Sequence, residues 1–432
     1  MNNTTRVTEP GLHNTQNVER GETTVRRTVD LVVNRFYPNL LEPVHACLAV
    51  FGAMSLKGRT KPLSLIFETA SGYGKTACLQ MVFPTPGSPV KNHVYRSDKF
   101  SPKSFVTHAA ALASNELDAR DLLPRLANKV LVTKELAPIF RGREEELQSN
   151  FSVLISVLDG KGFTSDSGMR GQRGYDTPIL FNWLGATTPL PPTTHRMMAQ
   201  LGTRLLFYEV PAIEPTEEQL MDYAEKDDAG EAEVECQKAV NSFLADFFSR
   251  HPVGSYPADD MPIPEELLRQ IVRWAKLLAH GRAEIKFEKV GPDWRPVAVG
   301  TPEGPFKIVN YLKEIARGHA LIHDRTAVNE ADLGLVAEVA LSSLPGHLRP
   351  IVRLLRKQGF AETGECAKRC RVSPPTVRNY FKELDLLGIA ALTEGSPESN
   401  QPHRLALSHQ YGWMRNLESN VYVSVGGEEV SS

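Results

Sequence analysis

The feature that most constrains the fold of this chain is an apolar strand that runs through a glycine-containing turn into a helix. The strand is Leu63–Phe67, the turn contains Gly72 and Gly74, and the helix begins at Thr76. This order of elements is the context that a phosphate-binding loop requires. Further apolar runs of strand length lie at Lys129–Thr133, Ile179–Trp183 and Leu205–Val210. Strands that alternate with helices predict an α/β fold with a parallel sheet.

The turn has the residues that a nucleotide-phosphate site needs. Its backbone N–H groups would surround the phosphates, and the start of the following helix would favour their negative charge. We expect Lys75 to reach the β- and γ-phosphates and the Thr76 hydroxyl to hold Mg²⁺, so ATP and Mg²⁺ are the predicted cofactors. The predicted nucleotide-binding residues are Ser71, Gly72, Tyr73, Gly74, Lys75 and Thr76. Thr69 replaces the first glycine of the usual motif, which leaves an ordinary helix N-cap turn as the alternative.

A candidate for the catalytic carboxylate follows the apolar run at Val130–Thr133. Glu135 lies just beyond the predicted end of this strand, where a carboxylate can polarise water and contact the metal ion. Lys134 stands where a Mg²⁺-binding Asp is usual. We therefore predict Glu135 both as a catalytic residue and as a metal ligand. The alternative is a strand that ends in a solvated Lys-Glu pair.

With 432 residues, the chain is too long for one compact core. The pattern predicts a disordered leader (1–25), a P-loop core (26–213), an acidic linker with a mainly helical lid (214–345), a basic helical unit (346–412) and a tail (413–432). No apolar run reaches the roughly 18 residues of a membrane span. The five cysteines are an odd number, which argues against a disulfide framework. We therefore expect a reduced, cytoplasmic protein with no membrane partner.

The basic unit near the C-terminus has the pattern of a winged helix-turn-helix. Residues 346–410 hold ten Lys or Arg and six Asp or Glu, although the whole chain has a formal charge of −2. Two predicted helices precede a third that Ser373 would cap, and a strand pair follows. The start of such a third helix enters the DNA major groove. The predicted DNA contacts here are Thr376, Arg378, Asn379, Lys382 and Arg404. The alternative is a winged helix used for protein contacts or as a regulatory cap.

Several segments between the P-loop and this unit occur in a recognisable order. They are a glycine-rich hairpin at Gly162–Tyr175, a strand that ends at Thr187-Thr188, an Arg204 that precedes a strand, and a helix at Phe306–His319 that carries Lys307 near its start. Together with the P-loop and Glu135, this order resembles the motor module of MCM replicative helicases, which are a AAA+ family, and of their relatives on mobile elements. The resemblance extends from about Phe36 to the C-terminus.

The resemblance implies a role for each segment. The hairpin would project toward DNA in a central channel, with Lys161, Arg170 and Arg173 as its cationic contacts; a basic surface loop is the alternative. Thr187 or Thr188 would orient the attacking water as the first sensor. Arg204 would act as an arginine finger on the nucleotide of a neighbouring subunit. Lys307 would be the second sensor, in the lid. The partners implied are DNA and further copies of this chain, in a hexameric ring.

The sequence therefore favours an ATP-hydrolysing DNA translocase or helicase in replication, built as a AAA+ P-loop core with a helical lid and a C-terminal winged helix. Lys134 and Thr69 leave a second hypothesis open, namely a DNA-binding protein such as a replication initiator or transcriptional regulator. In that case ATP would switch assembly, with weak or no hydrolysis. A third hypothesis is a structural subunit that has lost ATP hydrolysis.

Overall fold

The computed structural model describes residues 24–108, 114–167, 171–225, 229–291, 293–395 and 402–415. The strands are β1 (Leu63–Glu68), β2 (Val94–Arg96), β3 (Val130–Thr133), β4 (Phe163–Ser167), β5 (Gly171–Tyr175), β6 (Asn182–Thr187), β7 (Leu206–Glu209), β8 (Ile285–Val290), β9 (Asp293–Val299), β10 (Phe360–Glu362), β11 (Ala390–Thr393) and β12 (Arg404–Leu407).

The helices before residue 202 are α1 (Thr24–Phe36), α2 (Leu41–Met54), α3 (Lys75–Met81), α4 (Ser114–Arg120), α5 (Leu122–Arg125), α6 (Ala137–Phe140), α7 (Glu144–Leu158) and α8 (Pro192–Leu201). Those after it are α9 (Glu217–Glu225), α10 (Ala229–Arg250), α11 (Glu265–Gly281), α12 (Phe306–Ile322), α13 (Glu330–Ser342), α14 (Arg349–Gln358), α15 (Thr363–Cys370) and α16 (Pro374–Leu386).

A five-stranded parallel sheet is the centre of the fold. Its strand order is β2-β3-β6-β1-β7, and every neighbouring pair is parallel. The carboxyl ends of all five strands therefore lie at one edge. From β1 the chain passes to β2 at one end of the sheet and returns through β3 to β6. It then crosses past β1 to β7 at the other end, so the direction of winding reverses at β1. Ligands of open α/β sheets bind beyond the carboxyl ends at such a reversal.

Both faces of this sheet are covered. In β1, Leu65 and Phe67 belong to one buried hydrophobic cluster, whereas Ile66 belongs to a second cluster on the opposite face. Alternation of this kind follows from the two-residue period of a strand. Every residue of β1 and β6 is buried, as is usual for parallel strands with helices on both sides. The predicted α/β fold with a parallel sheet is confirmed.

Helices α2 and α12 touch each other backbone to backbone. A side-chain carbon on Gly52 would lie 2.3 Å from the carbonyl oxygen of Gly318, and one on Gly318 would lie 2.2 Å from that of Ala49. Only glycine permits such an approach. Helix α2 is in turn held to the sheet, because the Val50 carbonyl accepts a hydrogen bond from Asn182 Nδ2 at 2.7 Å. Helix α12 is therefore attached to the sheet through α2.

Helices α14–α16 and the three-stranded sheet β10-β12-β11 form a winged helix-turn-helix. The Ser373 side chain caps α16 by accepting from the Thr376 N–H, as predicted. Val377 and Phe381 of α16 are fully buried and belong to the same hydrophobic cluster as β1. The winged helix therefore packs continuously on the rest of the chain. The predicted C-terminal winged helix is confirmed.

Other parts of the chain are helical or lie outside the described residues. The sequence allows either an exposed linker or a solvated helix face for the acidic stretch from Glu217 to Glu235, and its described residues are helical, in α9 and α10. The predicted leader and tail fall almost entirely outside the described residues. Among the described helices, none is both long and apolar enough to cross a membrane.

Candidate nucleotide and nucleic-acid sites

The predicted phosphate-binding turn lies at the carboxyl edge of the sheet, directly after β1. Gly72 and Gly74 have φ angles of +92° and +84°, which side chains disfavour. A side-chain carbon on Gly74 would also lie 2.8 Å from Leu40. Lys75 is buried, and its ammonium donates to the Ala70 carbonyl at 3.4 Å. The backbone of the turn therefore contacts the Lys75 ammonium. Helix α3, which follows the turn, is short, with seven residues.

Three other predicted residues lie at the same edge of the sheet. Thr187 pairs in register with Glu68, the last residue of β1, and its hydroxyl donates to the Thr188 carbonyl at 3.0 Å. Thr188 is held in turn, because its hydroxyl accepts from Arg141 at 2.8 Å. Glu135 follows β3 and is exposed, and its carboxylate accepts from the Ala137 N–H at 2.8 Å. The topology thus places the predicted metal ligand, both sensor candidates and the P-loop at one edge.

Lys134, where a metal-binding Asp was expected, has its own partners. Its ammonium lies 3.6 Å from Asp98 Oδ2, and it approaches the ring of Phe83 to 5.8 Å. Arg96 also pairs with Asp98, at 2.7 Å. Lys134 therefore points toward the end of β2, so only Glu135 of this pair remains for the metal.

Arg204 and Lys307 lie together at the opposite edge of the sheet. Arg204 and Lys307 contact Asp159 at 3.2 and 3.4 Å, and Lys61 contacts it at 3.3 Å. Asp159 lies near the amino end of β1, because a side-chain carbon on the next residue, Gly160, would touch the chain just before that strand. Burial raises the Asp159 pKa, but the surrounding cations outweigh it and leave the pKa lowered.

This separation decides how Arg204 and Lys307 can act. Strand β1 has six residues, so about 20 Å of strand lies between Asp159 and the P-loop. Lys307 was predicted to bind the nucleotide, and within one chain this distance separates it from the phosphates. A role for either cation at the nucleotide therefore needs a second copy of the chain, and it stays a prediction.

A buried ion pair connects the base of the predicted phosphate-binding turn to the winged helix. The Glu68 carboxylate accepts from Arg349, the first residue of α14, at 2.5 Å, and both side chains are 3% exposed. Glu68 also accepts from the Leu190 N–H at 2.8 Å, and Arg349 donates to the Leu344 carbonyl at 2.7 Å. No local pattern predicts this pair, because its two residues are 281 positions apart in the sequence.

A cavity of about 960 Å³ opens beside this ion pair. Thr69 and Ala70 of the turn line it, together with residues of α2, α13 and α14. Arg353 of α14 also lines it, and its guanidinium pairs with Glu338 of α13 at 2.5 Å and with Glu209 at the end of β7 at 3.1 Å. The winged helix thus contacts two neighbouring strands at their carboxyl ends, beside the predicted phosphate site.

The predicted hairpin forms as the antiparallel pair β4-β5. Lys161 just before it is exposed, and Arg170 lies outside the described residues. Arg173 is not a free cation, because its guanidinium pairs with Asp118 at 3.0 Å and with the buried Asp121 at 3.1 Å. Its role in DNA binding stays a prediction, and the ion pairs give it a structural role in addition.

Helix α16 presents different residues to solvent and to the protein. Arg378 and Lys382 are exposed, on the same face as Pro374, whereas Thr376 and Asn379 line a cavity of about 1,130 Å³ against the rest of the chain. Lys368, Arg369 and Arg371 of α15 and the following turn are also exposed. We call these five residues of α15, α16 and the turn between them the free basic surface, and Lys357 of α14 is exposed as well. Arg404 is exposed in β12, with its guanidinium 4.1 Å from the centre of the Phe360 ring.

The β8-β9 hairpin covers the other face of α16. Asn379 Nδ2 donates to the Trp294 carbonyl at 3.2 Å, so one predicted base-reading side chain is engaged within the protein. Trp294 itself is 61% exposed at this position. No sequence pattern in β8 or β9 indicates that this hairpin contacts α16.

Comparison with known families agrees with this part of the fold. Residues 348–402 match the family model of the DeoR-like helix-turn-helix domain. The matched segment runs from the start of α14 to just before β12, so it coincides with most of the winged helix. Because helix-turn-helix domains of this type bind DNA, the match supports DNA binding by this unit. No curated protein matches the chain.

Proposed function

We propose that this chain is a DNA-binding protein whose winged helix is controlled by ATP and Mg²⁺ at the P-loop, as in a replication initiator or a transcriptional regulator. The observation that carries the proposal is the buried ion pair between Glu68 and Arg349. It joins the residue before the P-loop turn to the first residue of the DNA-binding unit. A packed, charged contact of this kind is a physical route by which one site can bias the other.

The coupling follows from the position of Glu68. Phosphates bound by the turn would be held by its backbone N–H groups, Lys75 and Thr76. A shift of the turn on phosphate binding would move the Glu68 carboxylate. Arg349 would move with it, because Arg349 is buried and water cannot replace the Glu68 carboxylate as its partner. Coupling between two binding sites is reciprocal, so DNA would change the ATP affinity by the same factor.

DNA binding is assigned to the free basic surface of the winged helix. Arg378 and Lys382 on α16 can enter a groove, because they are exposed on one face of this helix. Lys368, Arg369 and Arg371 lie beside them on α15 and the turn, where cations contact phosphates. Asn379 can join base readout only after the Trp294 carbonyl releases it.

The test is DNA affinity measured by fluorescence anisotropy with and without ATP-Mg²⁺. We expect ATP to change the affinity of the native protein by about 5- to 150-fold. Lys75→Ala should abolish this change and leave the affinity without ATP unaltered. Lys57→Ala, which removes an exposed lysine outside the turn, is the matched control. Equal DNA affinity with and without ATP, in a protein shown to bind ATP, would refute the proposal.

A second candidate is the ATP-driven DNA translocase or helicase that the AAA+ resemblance implies. One specific observation favours it: Arg204 and Lys307 are gathered at the sheet edge opposite the P-loop, where they can act only on the nucleotide of another copy. The order of the five parallel strands and the sensor-like Thr187 beside β1 are consistent with this candidate. It differs from the first proposal in requiring sustained hydrolysis.

Steady-state ATP turnover with and without DNA separates the two candidates. A motor should show DNA-stimulated turnover that Glu135→Gln and Arg204→Ala abolish while ATP binding persists. The loss in Arg204→Ala should amount to about 10³–10⁵ in rate. Negligible turnover, together with an ATP-dependent DNA affinity, would leave the switch as the function.

A further inference from the structure

Three buried or half-buried histidines converge where α1, α2 and α12 meet. His45 lies on α2, His319 lies on α12, and His323 is the residue at which α12 ends. One ring nitrogen from each lies within 4.8 Å of the other two. His319 and His323 are four residues apart, which is the spacing of the two histidines in zinc-binding helices. The third comes from a helix fixed against α12 by the glycine contact.

The outer contacts of this cluster are those of a metal site. The Asp332 carboxylate lies 2.6 Å from His319 Nδ1, so Nδ1 carries the proton and Nε2 keeps a lone pair. Asp332 is fully buried and is itself held by Arg325.

A cation already lies among these rings. Arg26 Nη2 is 2.6 Å from His45 Nε2 and 3.4 Å from His323 Nε2, and the guanidinium also contacts Asp30. His45 Nε2 lies 2.8 Å from Asp30 Oδ1 as well. One ring nitrogen cannot donate and accept together, so the guanidinium donates to both the His45 nitrogen and the Asp30 carboxylate, which are two acceptors that face one cation. A single metal ion can satisfy both, because imidazole nitrogen and carboxylate oxygen are each ligands of zinc.

We propose that His45, His319 and His323 bind a divalent metal ion of the zinc class, with Asp30 as the fourth ligand, in the position that the Arg26 guanidinium takes in this structure. Tetrahedral coordination at 2.0–2.1 Å places ligand atoms about 3.4 Å apart, so the three imidazole nitrogens must close by little more than an ångström. Arg26, in the first turn of α1, is fully buried, so its side chain must leave this position when the ion binds. The ion would fasten α1 and α2 to α12.

The test uses the full chain, stripped of metal with a chelator and titrated with Zn²⁺ in competition with a chromophoric indicator. We expect one equivalent to bind tightly, and the same site to give the intense visible absorption of tetrahedral Co²⁺. His323→Ala, at the partly exposed ligand, should lower the Zn²⁺ affinity at least about 10-fold. Arg26→Ala should raise the affinity, because it removes the competing cation. His409→Ala, at an exposed histidine of the winged helix, is the matched control.

Each outcome decides the proposal. Failure of the native protein to bind Zn²⁺ at one equivalent would overturn it, as would an equal loss of affinity in the His409 control. Unchanged affinity in a folded His323→Ala protein would also overturn it. If circular dichroism shows that this variant is unfolded, Asp30→Ala replaces it, since the loss of the carboxylate ligand must change the Co²⁺ spectrum. ATP and DNA binding are measured separately, so the result for the metal site does not depend on them.

Discussion

Breaking the ion pair between Glu68 and Arg349 is expected to destabilise the protein far more than its single contact suggests. Arg349→Met leaves a carboxylate that is 3% exposed and that still accepts from the Leu190 N–H at 2.8 Å. Removing one partner of a buried pair costs about 3–5 kcal/mol, because the remaining charge cannot be hydrated. Glu68→Gln should cost a similar amount, since it strands the guanidinium. In the double variant neither charge remains uncompensated, so we expect a loss well below the sum of the two.

The measurement is a double-mutant cycle in urea, followed by tryptophan fluorescence and circular dichroism. We expect the two single losses to exceed the double loss by about 2–3 kcal/mol or more, as directly coupled residues do. Arg269→Met is the control, because it removes an exposed pair with Glu265 on α11 and should change stability little. Additivity of Glu68→Gln and Arg349→Met to within about 0.5 kcal/mol would refute the reasoning.

Three further predictions concern other parts of the chain. Arg378→Ala should weaken DNA binding by about 1–3 kcal/mol in anisotropy titrations, whereas Asn379→Ala should change it less; the reverse order would contradict the assigned surface. Gly318→Ala should lower the free energy of unfolding by about 1–3 kcal/mol in urea, because its new methyl group would meet backbone atoms of α2; an unchanged midpoint would contradict this contact. Burial lowers the pKa of His195 below the unfolded value of 6.5, and the positive charge of nearby Arg349 lowers it further. Its contribution to stability is therefore complete above pH 6.5 and declines below it by up to about 1.4 kcal/mol per pH unit. Melting temperatures from pH 7.5 to 5.5 should fall less steeply in His195→Gln than in the native protein or in the exposed control His409→Gln, and equal slopes would refute the assignment.

Local patterns predicted the elements that local physics determines. The apolar run Leu63–Phe67 became a buried central strand, because a continuous apolar segment of that length fits a sheet covered on both faces. Ser373 caps α16 as predicted, and a capping box of Asn329 and Asp332 begins α13 in the same way, since capping depends on residues within one turn. The prediction of the winged helix rested on the same kind of local sequence pattern.

Contacts between distant residues were beyond such patterns. Arg173 looked like a free cation on a hairpin, but Asp121, which lies 52 positions earlier, neutralises it. Asn379 looked like a base-reading residue, yet its partner is the backbone of a hairpin 85 positions away. The pairing of Glu68 with Arg349 has the same origin. A sequence records which side chains carry charge, whereas the tertiary fold decides which charges remain available to a ligand.

The contact between Gly52 and Gly318 limits how the molecule can deform. With two helix backbones touching, α12 cannot slide along α2 without a collision, so α2, α12 and the sheet behave as one stiff frame. Shear motions need side-chain layers that can slip past each other, and this contact has none. Any motion that carries the winged helix relative to the P-loop must therefore pivot beyond α13, in the few residues that lead into α14. A cross-link that immobilises this short connection should block the motion, while one placed between α2 and α12 should leave it free.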